Sequence, residues 1–476
     1  MLLRQTLLYL PAQILGPALQ FVASVVWTHW LGPEDYGVTA YLLALQEFGF
    51  IVTLSWWAQY VLRFPPAAAE GAPRAAFARS ENAVLGYACL TQVGVVLAGL
   101  ALMGRPLSGA LAAAAVLYTL SRSLMSYLAE RARAAERIGL YTLAQSASLG
   151  LGFPLAWAGV AFIAAAPETV LAGFAAGQCI AVLALWPRFG FALSLRAPDS
   201  AVIRAALVFA LPLLLSGAVG WFSVNGIRVI VDEVAGAAAV GLLSVGWGLG
   251  HRAAAVAAML VTAAAFPLAV RRLKEGTRAD ALAQLARNGT LLLAVLAPVT
   301  AGVMMISAPL TDLLIAAPYR DATKAMLPIA MAAGALRNFR VHFPDQALIL
   351  FERTKLTLWV NGAEAASAVL FTLVGLRLGG ITGAGLGCAA GIGVGAVVCF
   401  SMAVIGFGLR PQIADGACIL AAALAMALAL AVFDWTRLGA LGGLIAEIAA
   451  GALLYGAALL CLFPRRALAG AAALAR

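Results

Sequence analysis

Charge is scarce in this sequence. Only 11% of its 476 residues are Asp, Glu, Lys or Arg, against about 25% in soluble globular domains, while 63% are hydrophobic. That deficit excludes an ordinary soluble fold. Cysteine is sparse and isolated: Cys89, Cys179, Cys388, Cys399, Cys418 and Cys461 lie singly within apolar runs with no CxxC pair. They read as small hydrophobes, which excludes a disulfide framework and a thiolate metal site. HExxH, GxSxG, P-loop and Rossmann patterns are absent, and no long segment between apolar runs has room for a catalytic domain. No catalytic residue, metal or cofactor is therefore assigned, and transport is favoured over chemistry. The net charge of +10 comes from short basic clusters rather than a basic domain or an aromatic-interleaved stripe, which argues against a nucleic-acid partner.

What the chain has instead is a succession of apolar runs, each near the roughly 20 residues that cross a bilayer. Fourteen spans are predicted, centred near Pro17, Phe50, Gly94, Thr119, Pro154, Cys179, Gly217, Ala253, Met304, Asn338, Ala366, Gly391, Leu424 and Gly451. The fold class is an all-α polytopic membrane protein with short connections. The first apolar stretch runs from after Arg4 to about Leu31, well past the roughly 7 to 15 residues of a signal-peptide core, so it is read as an uncleaved span. Of the 31 basic residues, 21 fall on the side of the N-terminus, among them Arg4, Arg465, Arg466 and Arg476; 5 fall opposite, Arg105 included, and 5 within spans. The positive-inside rule then puts both termini in the cytoplasm and requires an even number of spans.

Two short similarities point to a repeat. Leu31-Gly32-Pro33-Glu34-Asp35-Tyr36-Gly37, read as a loop after the first span, is echoed after the seventh by Ala235-Gly236-Ala237-Ala238-Ala239-Val240-Gly241, with Gly32 matching Gly236 and Gly37 matching Gly241. The turn Glu136-Arg137-Ile138-Gly139-Leu140 is echoed, at a slightly longer offset, by Glu352-Arg353-Thr354-Lys355-Leu356. Chance agreement between Gly- and Ala-rich segments is the competing account. A parallel repeat gives two six-helix lobes, residues 1–204 and 205–410, with two C-terminal spans in 411–476 and a substrate site between the lobes near mid-membrane.

The residues that carry function should be the ionisable ones inside spans, because a charge at bilayer depth costs about 2.5 to 3.5 kcal/mol on insertion scales and so faces a protein-walled space. The densest group is Leu336 to Asp345 in the tenth span, with Arg337, Arg340, His342, Pro344 and Asp345. Arg252 and His251 lie at similar depth in the eighth span. Arg122 and Arg228 lie nearer the ends of their spans and either join the site or snorkel to the headgroups. Trp221, Asn225, Arg228 and Asp232 form one helical stripe, and Ser244, Trp247 and His251 another, both expected to face a wet interior. Among the acids, Glu364 and Glu447 are expected to pair with arginines, and Glu47 either pairs or binds a coupling proton or cation. Asp345 lies about 140° round the helix from Arg340 and is expected to serve another helix. Arginines outnumbering carboxylates favour an anionic, phosphorylated or acidic passenger, because guanidinium groups fork onto phosphate and stay charged. Prolines Pro11, Pro17, Pro154, Pro212, Pro298, Pro309, Pro328 and Pro344 are expected to kink spans. Gly383, Gly387, Gly391 and Gly395 mark a close helix contact. Trp56, Trp57 and Tyr60 fit an interfacial aromatic belt.

The LGPEDYG segment, Ala210-Leu211-Pro212-Leu213-Leu214-Leu215-Ser216 and the Ser244 to Pro267 segment ahead of Arg271-Arg272 together resemble the polysaccharide (Wzx-type) flippases of the multidrug/oligosaccharidyl-lipid/polysaccharide (MOP) exporter superfamily. The resemblance covers most of the chain in order and spacing. It departs at His29, where an arginine often stands, and at Ile227, where an aspartate often stands. It implies a bacterial inner-membrane protein that moves an undecaprenyl-diphosphate-linked saccharide to the outer leaflet by alternating access, for cell-surface polysaccharide biosynthesis. Arg252, Arg337, Arg340, Arg122, Arg228 and His251 would then hold the anionic headgroup, with Glu47, Asp345 and Glu364 as coupling or pairing acids. Membrane lipids and polysaccharide assembly proteins would be its partners. A cation-coupled multidrug exporter of the same superfamily is the alternative, and a membrane-embedded polymerase or ligase a more distant one.

Overall fold

A computed structural model describes residues 16, 18–64, 71–103, 108–192, 194 and 196–463. Arg4, Arg105, Arg465, Arg466 and Arg476, used above to orient the chain, and Pro11 and Pro17 lie outside the described residues. Helices α1 (residues 18–30) and α2 (Pro33–Arg63) are separated by two residues. The LGPEDYG segment is thus mostly helix rather than loop. Pro33 occupies the first helical turn, where its missing N–H is no loss, and Glu34 and Asp35 complement the positive end of the helix dipole.

Four helices follow in the first part of the chain: α3 (Gly71–Leu102), α4 (Gly109–Ala134), α5 (Ile138–Phe162) and α6 (Pro167–Phe189). The 76-residue stretch Ser200–Glu275 is too long for one crossing at a rise of about 1.5 Å per residue. It breaks at Gly236, whose φ of 79° suits glycine, into α7 (residues 200–235) and α8 (237–275). Next come α9 (Arg278–Leu314), α10 (Arg320–His342) and the short α11 (Pro344–Leu350), the last two together making the tenth span. A second break at Gly379 and Gly380 divides Thr354–Ser401 into α12 (354–378) and α13 (381–401). The chain closes with α14 (Ile413–Val432) and α15 (Ala440–Leu462). All the expected span centres but Pro17 fall in described helical segments. This is an all-α, multi-pass membrane protein.

The described chain forms two compact units, Met1–Ser244 and Val245–Arg476. In the first, α2 and the start of α8 meet backbone to backbone. A Cβ on Gly37 would overlap the Ala237 carbonyl, and one on Gly241 would overlap the Pro33 carbonyl. The contact is reciprocal, so the two glycines matched in the sequence touch in space. In the second unit the glycine series of α13 runs antiparallel along α12. Gly383 lies on Gly375, Gly387 on Phe371, Gly391 on Ala368 and Gly395 on Glu364. Small residues let two backbones approach closely where lipid offers no hydrophobic drive to associate.

Candidate functional site

The last step of that glycine series is where polarity enters. Gly395 leaves the space that the Glu364 side chain fills; a Cβ there would come 2.5 Å from Oε2 and 2.6 Å from the Glu364 Cβ. Glu364 is wholly buried, and a buried carboxylate persists only with partners. It has two. Arg337 Nε lies 3.3 Å from Oε1 and Arg340 Nη1 3.0 Å from Oε2. Arg340 in turn lies 3.6 Å from Asp345 through Nη2, which also donates to Asn361 Oδ1 at 2.9 Å. Asp345 Oδ1 accepts from the Cys399 thiol at 2.8 Å.

The break between α10 and α11 makes this possible. Phe343 leaves helical geometry (φ −128°, ψ −81°) and Pro344 opens α11, as a proline that cannot donate to the preceding turn should. The expectation that Asp345 points away from Arg340 assumed an unbroken helix. With the break, Asp345 turns back onto Arg340 while also reaching α13, so it serves its own span and another. The ion pairs run in series, Arg337–Glu364–Arg340–Asp345. Arg340 is 1% exposed, Glu364 0% and Asp345 5%, whereas Arg337 is 30% exposed. Two arginines meet two carboxylates, so this cluster is balanced rather than richer in arginine.

His251 and Arg252 reach the same unit through α8. Gly250 packs against Ala330 and Met331, and Gly334 against the His251 Cα, so α8 crosses α10 one turn before Arg337. The His251 ring rests on Trp247 at 4.4 Å between centroids, and its Nδ1 is 3.2 Å from the Trp247 carbonyl. Both His251 and Arg252 are half-buried.

In the first unit, Asn225 donates to Glu47 Oε2 at 3.4 Å and accepts from Arg228, whose Nε donates to Ser244 at 3.1 Å. Trp221 donates to the Ala44 carbonyl at 3.1 Å. Arg122 donates to Ser148 at 3.4 Å. The two stripes expected to face a wet interior are mostly packed instead, with Trp221, Asn225, Ser244 and Trp247 all buried. Around Trp247 the reason is a neighbouring glycine: Gly246 lets Met326 close over that turn of α8.

Two further expectations fail. Glu447 is buried, but among the described residues it has no arginine partner. Trp57 belongs to no exposed belt: it is fully buried and donates to Tyr127 at 3.1 Å. There it joins a cluster that sequence reasoning missed, in which Tyr127 and Arg131 both donate to the buried Glu81, Arg131 at 2.7 Å. Arg131 also donates to the Phe189 carbonyl at 2.5 Å, holding the end of α6. Glu81 sits in a stretch with ordinary polar neighbours, so nothing in its spacing singled it out. Asn361 and Cys399 were missed because the first joins no stripe and the second is one more cysteine in an apolar run.

The order of the helices and their breaks is a fold shared with solved structures of other proteins. No family model and no curated protein sequence matches the chain. Among solved structures, the lipid II flippase MurJ in an inward closed conformation superposes with a TM-score of 0.72 at 12% identity, over 97% of this chain and 99% of that one. An inward-facing multidrug resistance MATE-family transporter of the MOP superfamily gives 0.59 at 13% identity, over 82% of this chain and 94% of that one. A MOP transporter from Pyrococcus furiosus, described as having a binding pocket of reverse polarity, gives 0.55 at 15%, over 85% and 95%.

Proposed function

We propose that the protein is a flippase for an undecaprenyl-diphosphate-linked saccharide, working by alternating access in a bacterial inner membrane with both termini cytoplasmic and serving cell-surface polysaccharide assembly. The observation that carries this reading is the extent of the likeness to a lipid flippase. That likeness runs over 97% of the chain, whereas the MATE structures cover 82–86% at TM-scores of 0.53 to 0.59. The share they leave is about the size of the two C-terminal spans, residues 411–476. Lobes at 1–204 and 205–410 would rock about the substrate.

In this reading Arg337, Arg252, Arg122, Arg228 and His251, all partly exposed, contact the anionic headgroup. Arg340 is buried between two carboxylates and serves as a fixed counter-charge rather than as a contact. Glu47 is the acid that balances the first lobe. The protein performs no covalent chemistry.

The test is flipping in proteoliposomes, read as protection of a fluorescent undecaprenyl-diphosphate-linked saccharide from an external quencher. The wild-type chain is expected to accelerate exchange between leaflets, and Arg337→Gln to lower the rate at least tenfold while the variant still folds and reconstitutes. Vesicles that leave the lipid unflipped but expel organic cations against a proton or sodium gradient would replace this reading with the drug exporter.

A further inference from the structure

At the end of the second unit that carries Arg271, Arg272, Lys274 and Arg278, a cavity of about 480 Å³ opens between α9 and the linker from α13 to α14. Ala279, Ala283, Ala286 and Arg287 line it from one face of α9, and the three alanines leave the room. Arg410 and Gln412 line it from the linker. Among the described residues no carboxylate is in its wall. Asp280, close by in sequence, is taken up by the capping box of α9, where it accepts from the Thr277 amide at 2.9 Å and hydroxyl at 2.7 Å. Arg287 and Arg410 are exposed and make no ion pair or hydrogen bond among the described residues.

The linker is fixed on both sides of Arg410. Gly408 turns the chain at φ 76°, and Leu409 is fully buried with its amide donating to the Ala403 carbonyl at 3.0 Å. Arg278 ties the start of the linker to α9: it donates to the Phe407 carbonyl at 3.4 Å and lies over the Phe351 ring. Beyond Arg410, Gln412 Oε1 accepts from the Thr290 hydroxyl at 2.8 Å, which leaves the amide NH2 to donate in the cavity. Two guanidinium groups thus line one cavity in a fixed frame, and like charges so placed call for an anion.

Depth says which anion. After Arg287, α9 carries no charge before Asp312, and α14 carries none after Asp415. The cavity therefore sits where charged chain gives way to apolar span, at the level of lipid headgroups, and a basic pocket between helices at that level suits a lipid phosphate. We propose that it holds the phosphate of an anionic glycerophospholipid of the surrounding bilayer, from the leaflet that the orientation proposed above makes cytoplasmic. Arg287 and Arg410 grip the phosphate oxygens from two sides, Gln412 donates to the headgroup, and the alanine face takes the glycerol. The lipid joins α9 to the linker and so braces the start of α14. None of these residues belongs to the set proposed to hold the transported headgroup, so this lipid is a resident one and the site stands independently of the flippase reading.

Native mass spectrometry of the purified full chain in a mild detergent, titrated with palmitoyl-oleoyl phosphatidylglycerol, tests the site. The wild type is expected to bind one lipid about tenfold or more tighter than the Arg287→Gln, Arg410→Gln double variant. Ala283→Phe fills the cavity while keeping both arginines; it is expected to weaken the lipid as well, and it carries the test should the double variant fail to fold. Arg271→Gln with Arg272→Gln removes the same charge from the same end of the unit and is expected to keep the wild-type affinity. Equal weakening by the two double variants overturns the site in favour of a diffuse basic surface. Phosphatidylcholine with the same chains binding as tightly as phosphatidylglycerol overturns the choice of an anionic lipid. Displacement of the lipid by an equal concentration of inorganic phosphate overturns the lipid assignment and gives the cavity to a soluble anion.

Discussion

The fourth and tenth spans end in the same turn but are built differently before it. Glu136 and Glu352, matched by the repeat, both adopt left-handed backbone (φ 57° and 58°). The amides around them close matching bonds: Arg137 N–H to Ala132 and Leu140 N–H to Arg137 in one, Arg353 N–H to Leu348 and Leu356 N–H to Arg353 in the other. The same offset pairs Ser148 with Glu364. Each meets an arginine from the preceding span, Arg122 at 3.4 Å and Arg337 at 3.3 Å. The arginine ahead of the first turn thus meets a neutral partner, and the one ahead of the second a carboxylate. The tenth span also breaks at Phe343, whereas α4 runs unbroken to Ala134. Polarity here is an addition to the scaffold, and that addition should be separable by mutation.

The sharpest way to separate the copies is to remove both partners in turn. Glu364→Ala leaves Arg340 buried with one distant counter-ion and is expected to cost about 3–5 kcal/mol, the range for breaking a buried pair. Ser148→Ala removes one hydroxyl from a half-buried arginine and should cost about 1 kcal/mol or less. Thermal melting in detergent distinguishes them. Equal shifts would mean that the carboxylate network is no more structural than the serine contact, and the comparison would collapse.

The reciprocal contact of Gly37 and Gly241 comes next in size. A methyl at either position meets backbone rather than a yielding side chain, so α2 and α8 must separate. Gly37→Ala and Gly241→Ala are each expected to destabilise by about 1–3 kcal/mol. Because the same gap is opened twice, the double variant should fall short of the sum. Full additivity in the same melting assay would show that the two glycines do not share one contact.

Much of this architecture was legible in the sequence, and the residues show why. Apolar run length set the spans, because a bilayer demands about 20 residues whatever their packing. The glycine series from Gly383 to Gly395 was readable as a close contact because only a small residue every fourth position permits one. Glu364 was expected from its depth to pair with an arginine, and it meets both Arg337 and Arg340. What the sequence concealed was direction. Arg340 and Arg337 are one helical turn apart and chemically alike, yet one is sealed between acids and the other opens outward; that depends on which neighbour lacks a Cβ. Asp345 was misdirected because Pro344 could be seen to bend the helix while the angle of the bend could not. Trp57 and Glu81 were missed together, since an aromatic residue near a span end reads the same whether it faces lipid or a buried carboxylate from the next span.

The smallest effect tests the repeat most directly. Residues with side chains are strained in left-handed backbone at a helix C-terminus, and glycine is the usual occupant of that position. Glu136→Gly and Glu352→Gly should each relieve that strain, against the greater freedom glycine gives the unfolded chain. The expected result is a stabilisation of roughly 0.5 kcal/mol, up to about 1 kcal/mol, with the same sign and similar size at both turns. The turns belong to different compact units and share no hydrogen bond, so their effects should add. A gain at one turn and a loss at the other would show that the matching dihedrals hide unequal surroundings, and the alignment of Glu136 with Glu352 would lose its strongest physical support.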